Sequence, residues 1–142
     1  MQKVMENVPD ERIRLYIVWL PVLMTDDRVS AERRFGEFSD KRLTCFWDGN
    51  RLTGDLWRRL LSLGTLAWDV YLLYGPNAEW RKQPPKPMFW MHQLGKDGTD
   101  KGAPLLDESV FEAKVKEALH SLASARNDRL NSHHFSKAFL RR

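Results

Sequence analysis

Ile13-Arg14-Leu15-Tyr16-Ile17-Val18-Trp19-Leu20 (IRLYIVWL) is a nearly unbroken run of β-branched, aromatic and aliphatic residues. Its length suits a strand. A strand covered on both faces, as in a parallel sheet, loses the polar alternation of a half-exposed one. The run therefore predicts a strand in the interior of a sheet. Burial of that kind gives Trp19→Ala an expected cost of about 3–5 kcal/mol. Pro21 has no N–H to give a ladder and marks the strand's end or an edge. Upstream, residues 2–8 (QKVMENV) read as the end of a helix, stopped by Pro9-Asp10.

Downstream, Asp26 or Asp27 can cap a helix over about Arg28 to Phe38, with Ala31, Phe35 and Phe38 on one face. Leu43, Cys45 and Trp47 alternate with Thr44 and Phe46, a short strand, and Asp48-Gly49-Asn50 turns the chain. Leu52, Leu56, Leu60 and Leu63 stripe a second helix ended by Gly64. Ala67–Tyr74 and Met88–Leu94 read as two more strands. The Pro-rich connection between them (Gln83 to Pro87) holds no helix, which makes them antiparallel neighbours. Gly95 to Gly102 is a polar loop. Asp107 then opens the clearest helix, with Leu106 and Phe111 at hydrophobic-staple spacing. That helix fades near Ser124, and residues 124–142 form a basic tail, a frayed helix or a disordered one.

A chain of 142 residues with 42% hydrophobic side chains is one domain with a real core. No stretch approaches the roughly 20 apolar residues that span a bilayer, and no secretory leader is readable at the N-terminus. One cysteine allows no intrachain disulfide, which fits a reducing cytosol. The net charge of +4 sits in the tail, where five basic side chains face one acidic one, leaving the first 123 residues balanced. A nucleic-acid-binding domain carries its basic face on the folded part, so the balance argues against that class.

The element order, together with Phe46-Trp47-Asp48-Gly49 and Trp68-Asp69-Val70-Tyr71-Leu72-Leu73-Tyr74-Gly75-Pro76, resembles the later two-thirds of a thioredoxin-like domain of the thiol-reductase and peroxiredoxin-like branch. The two stretches also resemble a little-characterised set of bacterial thioredoxin-like proteins. The resemblance covers residues 1–123. It implies an α/β fold with a thioredoxin-like mixed sheet and flanking helices, incomplete at the N-terminus. In that family a Cys-x-x-Cys or peroxidatic cysteine precedes a strand like Ile13–Leu20, and a cis-proline precedes the hairpin strand. Here the chain begins inside the helix that would carry the thiols, and Leu66-Ala67-Trp68 holds no proline. The implied sheet lacks a strand between Ile13–Leu20 and Trp68–Tyr74. Direct pairing of those two strands, a strand from a partner or second copy, or a start upstream of Met1 would repair it. Thiol–disulfide or peroxide chemistry is then implied for a complete parent, and for this chain a redox-family relative without its own site. A non-enzymatic protein-interaction module is the alternative.

Cys45 alternates with Leu43 and Trp47 and reads as a buried, inert thiol. A reactive one needs a basic or helix-terminal setting, for which only Lys41 and Arg42 are near in sequence. His133-His134 lack a second ligand pair at zinc spacing. His92 reads as a residue at a surface or sheet edge, and His120 lies near Glu117 on the last helix; no triad is readable. Asp48 reads as a helix cap and Asp69 as a strand-end residue rather than an acid–base pair. Gly95, Gly98 and Gly102 match no phosphate-binding fingerprint, so no cofactor or metal is expected. Trp80 and Trp90 flank the Pro-rich loop and are the candidate partner-contact residues.

Overall fold

Each of the four expected strands forms: the one over Leu43–Trp47 with the expected bounds, the other three shorter than the apolar runs that mark them. The computed structural model describes the backbone of residues 1–95 and 104–138, and the side chains of 1–95 and 104–124. The order is α1 (Gln2–Asn7), β1 (Leu15–Trp19), α2 (Arg28–Phe35), β2 (Leu43–Trp47), α3 (Leu52–Leu60), β3 (Val70–Leu73), β4 (Phe89–His92) and α4 (Glu108–Ala138). The chain is mixed α/β. Helix α4 runs on without a break at residue 124, so the tail backbone to Ala138 is helical. Gly98 and Gly102 lie outside the described residues, as do the side chains of His133 and His134.

The strands form two separate two-stranded sheets. β1 runs parallel to β2, with Leu15 opposite Leu43 and Trp19 opposite Trp47. β3 runs antiparallel to β4, with Val70 opposite His92 and Leu73 opposite Phe89. Among the described residues nothing joins the two sheets through a ladder, so β1 and β3 do not pair directly.

The core gathers on the hairpin. One face of β3–β4, carrying Tyr71, Leu73, Phe89 and Met91, packs with Val4, Val8, Phe111 and Val115 from the first and last helices. The other face, carrying Val70, Leu72 and Trp90, packs on Trp57, Leu63, Ala67 and Leu94. This is the period of two expected of a strand, with both faces used.

The opposite holds for β1, and it corrects the sequence reading. Leu15, Ile17 and Trp19 are half-buried, Tyr16 and Val18 are exposed, and no residue of β1 or β2 is fully buried. Lack of polar alternation cannot tell a covered face from a bare apolar one. Trp19 leans on Phe35 of α2, ring centroids 6.3 Å apart, which shields one side only.

Local chemistry sets the helix ends. Asp27 accepts from the Ser30 N–H at 2.7 Å, and Asp107 from the N–H groups of Ser109 and Val110 at 2.9 and 3.1 Å. Helix α2 stops at Phe35, short of the expected Phe38. Helix α3 ends before Gly64. Ser62 takes the left-handed conformation (φ 55°), while the Leu63 N–H reaches the Arg58 carbonyl at 2.9 Å and the Ser62 N–H that of Arg59 at 3.3 Å. That bond pattern is a Schellman motif, with serine where glycine is usual. Gly54 lets α3 approach closely: a Cβ there would lie 2.9 Å from Leu66 Cδ1 and 3.1 Å from Leu20 Cδ1.

Candidate functional site

Cys45 is the first group to place. It stands on β2 between Thr44 and Phe46, half-buried on the inner face. Burial pushes its thiol pKa up. Against this works the Trp19 indole N–H, which is buried without a well-formed hydrogen bond and turned toward the sulfur. The two basic residues nearest in sequence are engaged elsewhere. Lys41 Nζ is 3.1 Å from Glu11 Oε1. Arg42 is buried, and its guanidinium holds the Met5 and Val8 carbonyls at 2.6 Å each and the Asp40 carboxylate at 2.6 Å. Burial therefore outweighs the one indole donor, neither nearby cation faces the sulfur, and a nucleophilic role has no support.

Arg42 is the residue whose role the sequence reading missed. Its guanidinium gathers the carbonyls at the end of α1, where the Val8 N–H also closes on the Val4 carbonyl. The signal was present: Asp10-Glu11-Arg12 and Asp40-Lys41-Arg42 precede the two parallel strands with the same Asp-x-Arg spacing. In both, the carboxylate accepts the backbone N–H two residues on and grips the guanidinium, which holds Asp10 and Asp40 down at about 2.

The paired-carboxylate possibility dissolves on inspection. Burial pushes Asp48 up, but the N–H and hydroxyl of Thr53, donating at 2.7 and 2.5 Å, outweigh it and hold the carboxyl low. Asp48 thus holds the first turn of α3 from three residues before its N-cap position, Arg51. Asp69 instead accepts the Tyr71 hydroxyl at 2.7 Å, and burial and that carboxylate both raise the phenol's pKa. No hydrogen bond or ion pair links the two aspartates among the described residues. His92 lies at a sheet edge, bridged to Leu105, but it is buried and stacked near Trp90 rather than at a surface. His120 is exposed on α4. Among the described residues no cluster of His, Cys, Asp or Glu could hold a metal.

Trp80 and Trp90 both touch the cluster around Trp57. Trp80 is exposed and stands edge-on to Trp57, centroids 5.8 Å apart. Trp90 is half-buried within the cluster, so the exposed aromatic surface here belongs to Trp80. A shallow hollow of about 140 Å³ opens between β4 and α4, lined by Leu73, Met88, Phe89, Lys114, Glu117 and Ser121. Lys114 is 2.7 Å from Glu117, and the hollow holds no nucleophile with an adjacent base.

No protein-family model, no curated protein and no solved structure matches the chain.

What remains is surface. Tyr16 and Val18 of β1 and Phe46 of β2 point to one side of the parallel sheet, 62%, 37% and 48% exposed, with the Tyr16 and Phe46 rings 6.3 Å apart. Val22, Leu23 and Met24 come two residues after the end of β1 and are also exposed. Singly exposed apolar residues are ordinary, but a contiguous apolar patch marks a binding surface. Among the described residues no helix is long and apolar enough to cross a membrane.

Proposed function

We propose that this chain is a thioredoxin-like domain without a dithiol of its own, working as a protein-interaction module through its β1–β2 sheet. The observation that carries the reading is that sheet's bare apolar face. Parallel sheets are found almost only with both faces covered, and two strands alone are marginal in water. Here a two-stranded parallel sheet has no fully buried residue, and among the described residues β1 is laddered on one side only. An uncovered strand edge beside apolar side chains is a template for another chain. The resemblance in element order supports the same point, since it implies a strand beyond the free edge of β1. Cys45, pushed up in pKa and without a basic neighbour, supports binding over thiol turnover. The same reading puts the protein in the cytoplasm, where a lone thiol stays reduced.

The test is a photo-crosslinking residue substituted at Phe46 in the native host, with Gln2, an exposed residue of α1, as the control position. A discrete adduct from position 46 and none from position 2 supports the reading. No adduct from 46, or turnover of insulin disulfides by the purified chain, ends it.

A further inference from the structure

We infer that the occupant of the free β1 edge is a second copy of this chain, paired antiparallel about a two-fold axis at Ile17. The inference rests on the binding reading above and names its partner. The Leu15 N–H bonds the Arg42 carbonyl at 2.9 Å, and the Trp19 carbonyl accepts the Asp48 N–H at 2.7 Å. Leu15, Ile17 and Trp19 therefore turn their backbone groups toward β2. By the alternation of a strand, Arg14, Tyr16, Val18 and Leu20 turn theirs to the open edge.

A two-fold interface must be self-complementary: what residue i meets in j, j must meet in i. Centred on Ile17, Tyr16 faces the second copy's Val18, and Arg14 faces its Leu20. Both are pairs whose N–H and C=O groups point at each other, so each closes two hydrogen bonds in an antiparallel ladder. Ile17 meets its own copy as a non-hydrogen-bonded pair. A shift by one residue would set outward groups against inward ones. The result is a four-stranded sheet whose outer face joins both sets of Tyr16, Val18 and Phe46.

Charge fits as well. Arg14 is exposed, and its guanidinium donates to the Glu11 and Ile13 carbonyls at 2.7 Å, with no carboxylate partner among the described residues. Asp26 accepts the N–H groups of Val22 and Leu23 at 2.8 and 2.6 Å and has no cation partner among the described residues. Antiparallel pairing carries the Arg14 end of each copy to the end of the other that leads to Asp26. A parallel arrangement would bring like ends together.

The experiment is sedimentation equilibrium of the full chain over rising concentration. The expected species has twice the 16.7 kDa mass of one chain. Val18→Pro removes a donor from the free edge and leaves the ladder to β2 untouched, so it should give a monomer with unchanged far-ultraviolet circular dichroism. Should that variant fail to fold, Tyr16→Lys places a charge on the edge and should give the same monomer. On a Cys45→Ser background, Ile17→Cys should oxidise to a disulfide-linked pair, because the two Cα atoms fall within bridging distance. A monomer at every concentration overturns the inference, as does a dimer that both edge variants leave intact. A crosslink from Phe46 to a different protein, with the purified chain monomeric, overturns self-pairing and leaves the binding reading standing. No crosslink at all, with the purified chain monomeric, removes both.

Discussion

Arg42 Nη1 lies 2.6 Å from the carbonyl of Val8, 34 residues earlier in the chain. This bond and its neighbour to Met5 tie the end of α1 to the start of β2. The guanidinium does for the helix what a C-terminal glycine does elsewhere: it gives orphan carbonyls a donor.

Arg42→Ala should therefore cost about 3 kcal/mol or more in urea unfolding, because it strands two buried carbonyls and a carboxylate together. Arg42→Lys should recover little, since an ammonium has its donors on one nitrogen and cannot span acceptors placed around three nitrogens of a planar guanidinium. Arg12→Ala, from the same Asp-x-Arg pattern, is the contrast. Its side chain is 52% exposed, and its loss should be small and salt-sensitive. Equal effects at positions 12 and 42 would contradict the account.

The carboxylates of these two motifs set an acid limit. Asp40 and Asp10 are each lowered from 3.8 to about 2 by the hydrogen bonds of their arginines. A depressed folded value contributes stability above the unfolded value and loses it as pH falls through the folded one. Stability should thus hold down to about pH 4 and decline between there and about pH 2. The double variant Asp10→Asn with Asp40→Asn should flatten that decline, whatever its absolute stability. An unchanged slope would remove these groups from the acid response.

Much of this arrangement was legible in the sequence where one local rule decides the outcome. Asp27 and Asp107 cap as their positions require, because a short acceptor before a helix satisfies donors that nothing else reaches. The antiparallel hairpin followed from a helix-free connection. The burial of β1 did not follow, because an all-apolar strand reads the same whether its outer face meets a helix, a partner or water. The pairing of strands into two sheets rather than one depends on contacts distant in sequence. The use of Arg42 needed the structure: a charged residue before a strand reads as solvent-facing until the Met5, Val8 and Asp10 carbonyls and the Asp40 carboxylate converge on it.

Ser62 gives a prediction of the opposite sign. A non-glycine residue in the left-handed region is strained, and Ser62 holds φ 55° at the end of α3. Its hydroxyl makes no hydrogen bond among those of the described residues. Ser62→Gly should stabilise the chain by about 0.5–1 kcal/mol in thermal or urea unfolding, the relieved strain exceeding the extra freedom of glycine in the unfolded chain. A loss of stability would mean that the serine contributes a contact beyond its backbone.

The thiol can be tested without any partner. With its pKa raised by burial, Cys45 carries little thiolate at neutral pH, and thiolate is the reacting form. Labelling by a disulfide reagent should be slower in the folded chain than in urea, and should accelerate with pH later than a free cysteine does. Faster labelling in the folded state would reveal an activating group and reopen the redox reading.

Stability should also map onto the hairpin rather than onto β1. Met91 is 1% exposed at the centre of the first cluster, so Met91→Ala should cost about 2–5 kcal/mol by deleting buried atoms and leaving a cavity. Trp19, half-buried against Phe35, should cost less than the about 3–5 kcal/mol expected of a fully covered strand. Tyr16→Ser, at 62% exposure, should change the monomer by less than about 0.5 kcal/mol. The contrast between assemblies is the informative part. At concentrations where the chain is dimeric, Tyr16→Ser should lower the melting temperature and remove its dependence on protein concentration, since association adds to stability by mass action. If Tyr16→Ser instead destabilises the dilute monomer as strongly as Met91→Ala, the face is already covered within one chain, and nothing is left for a partner to bury.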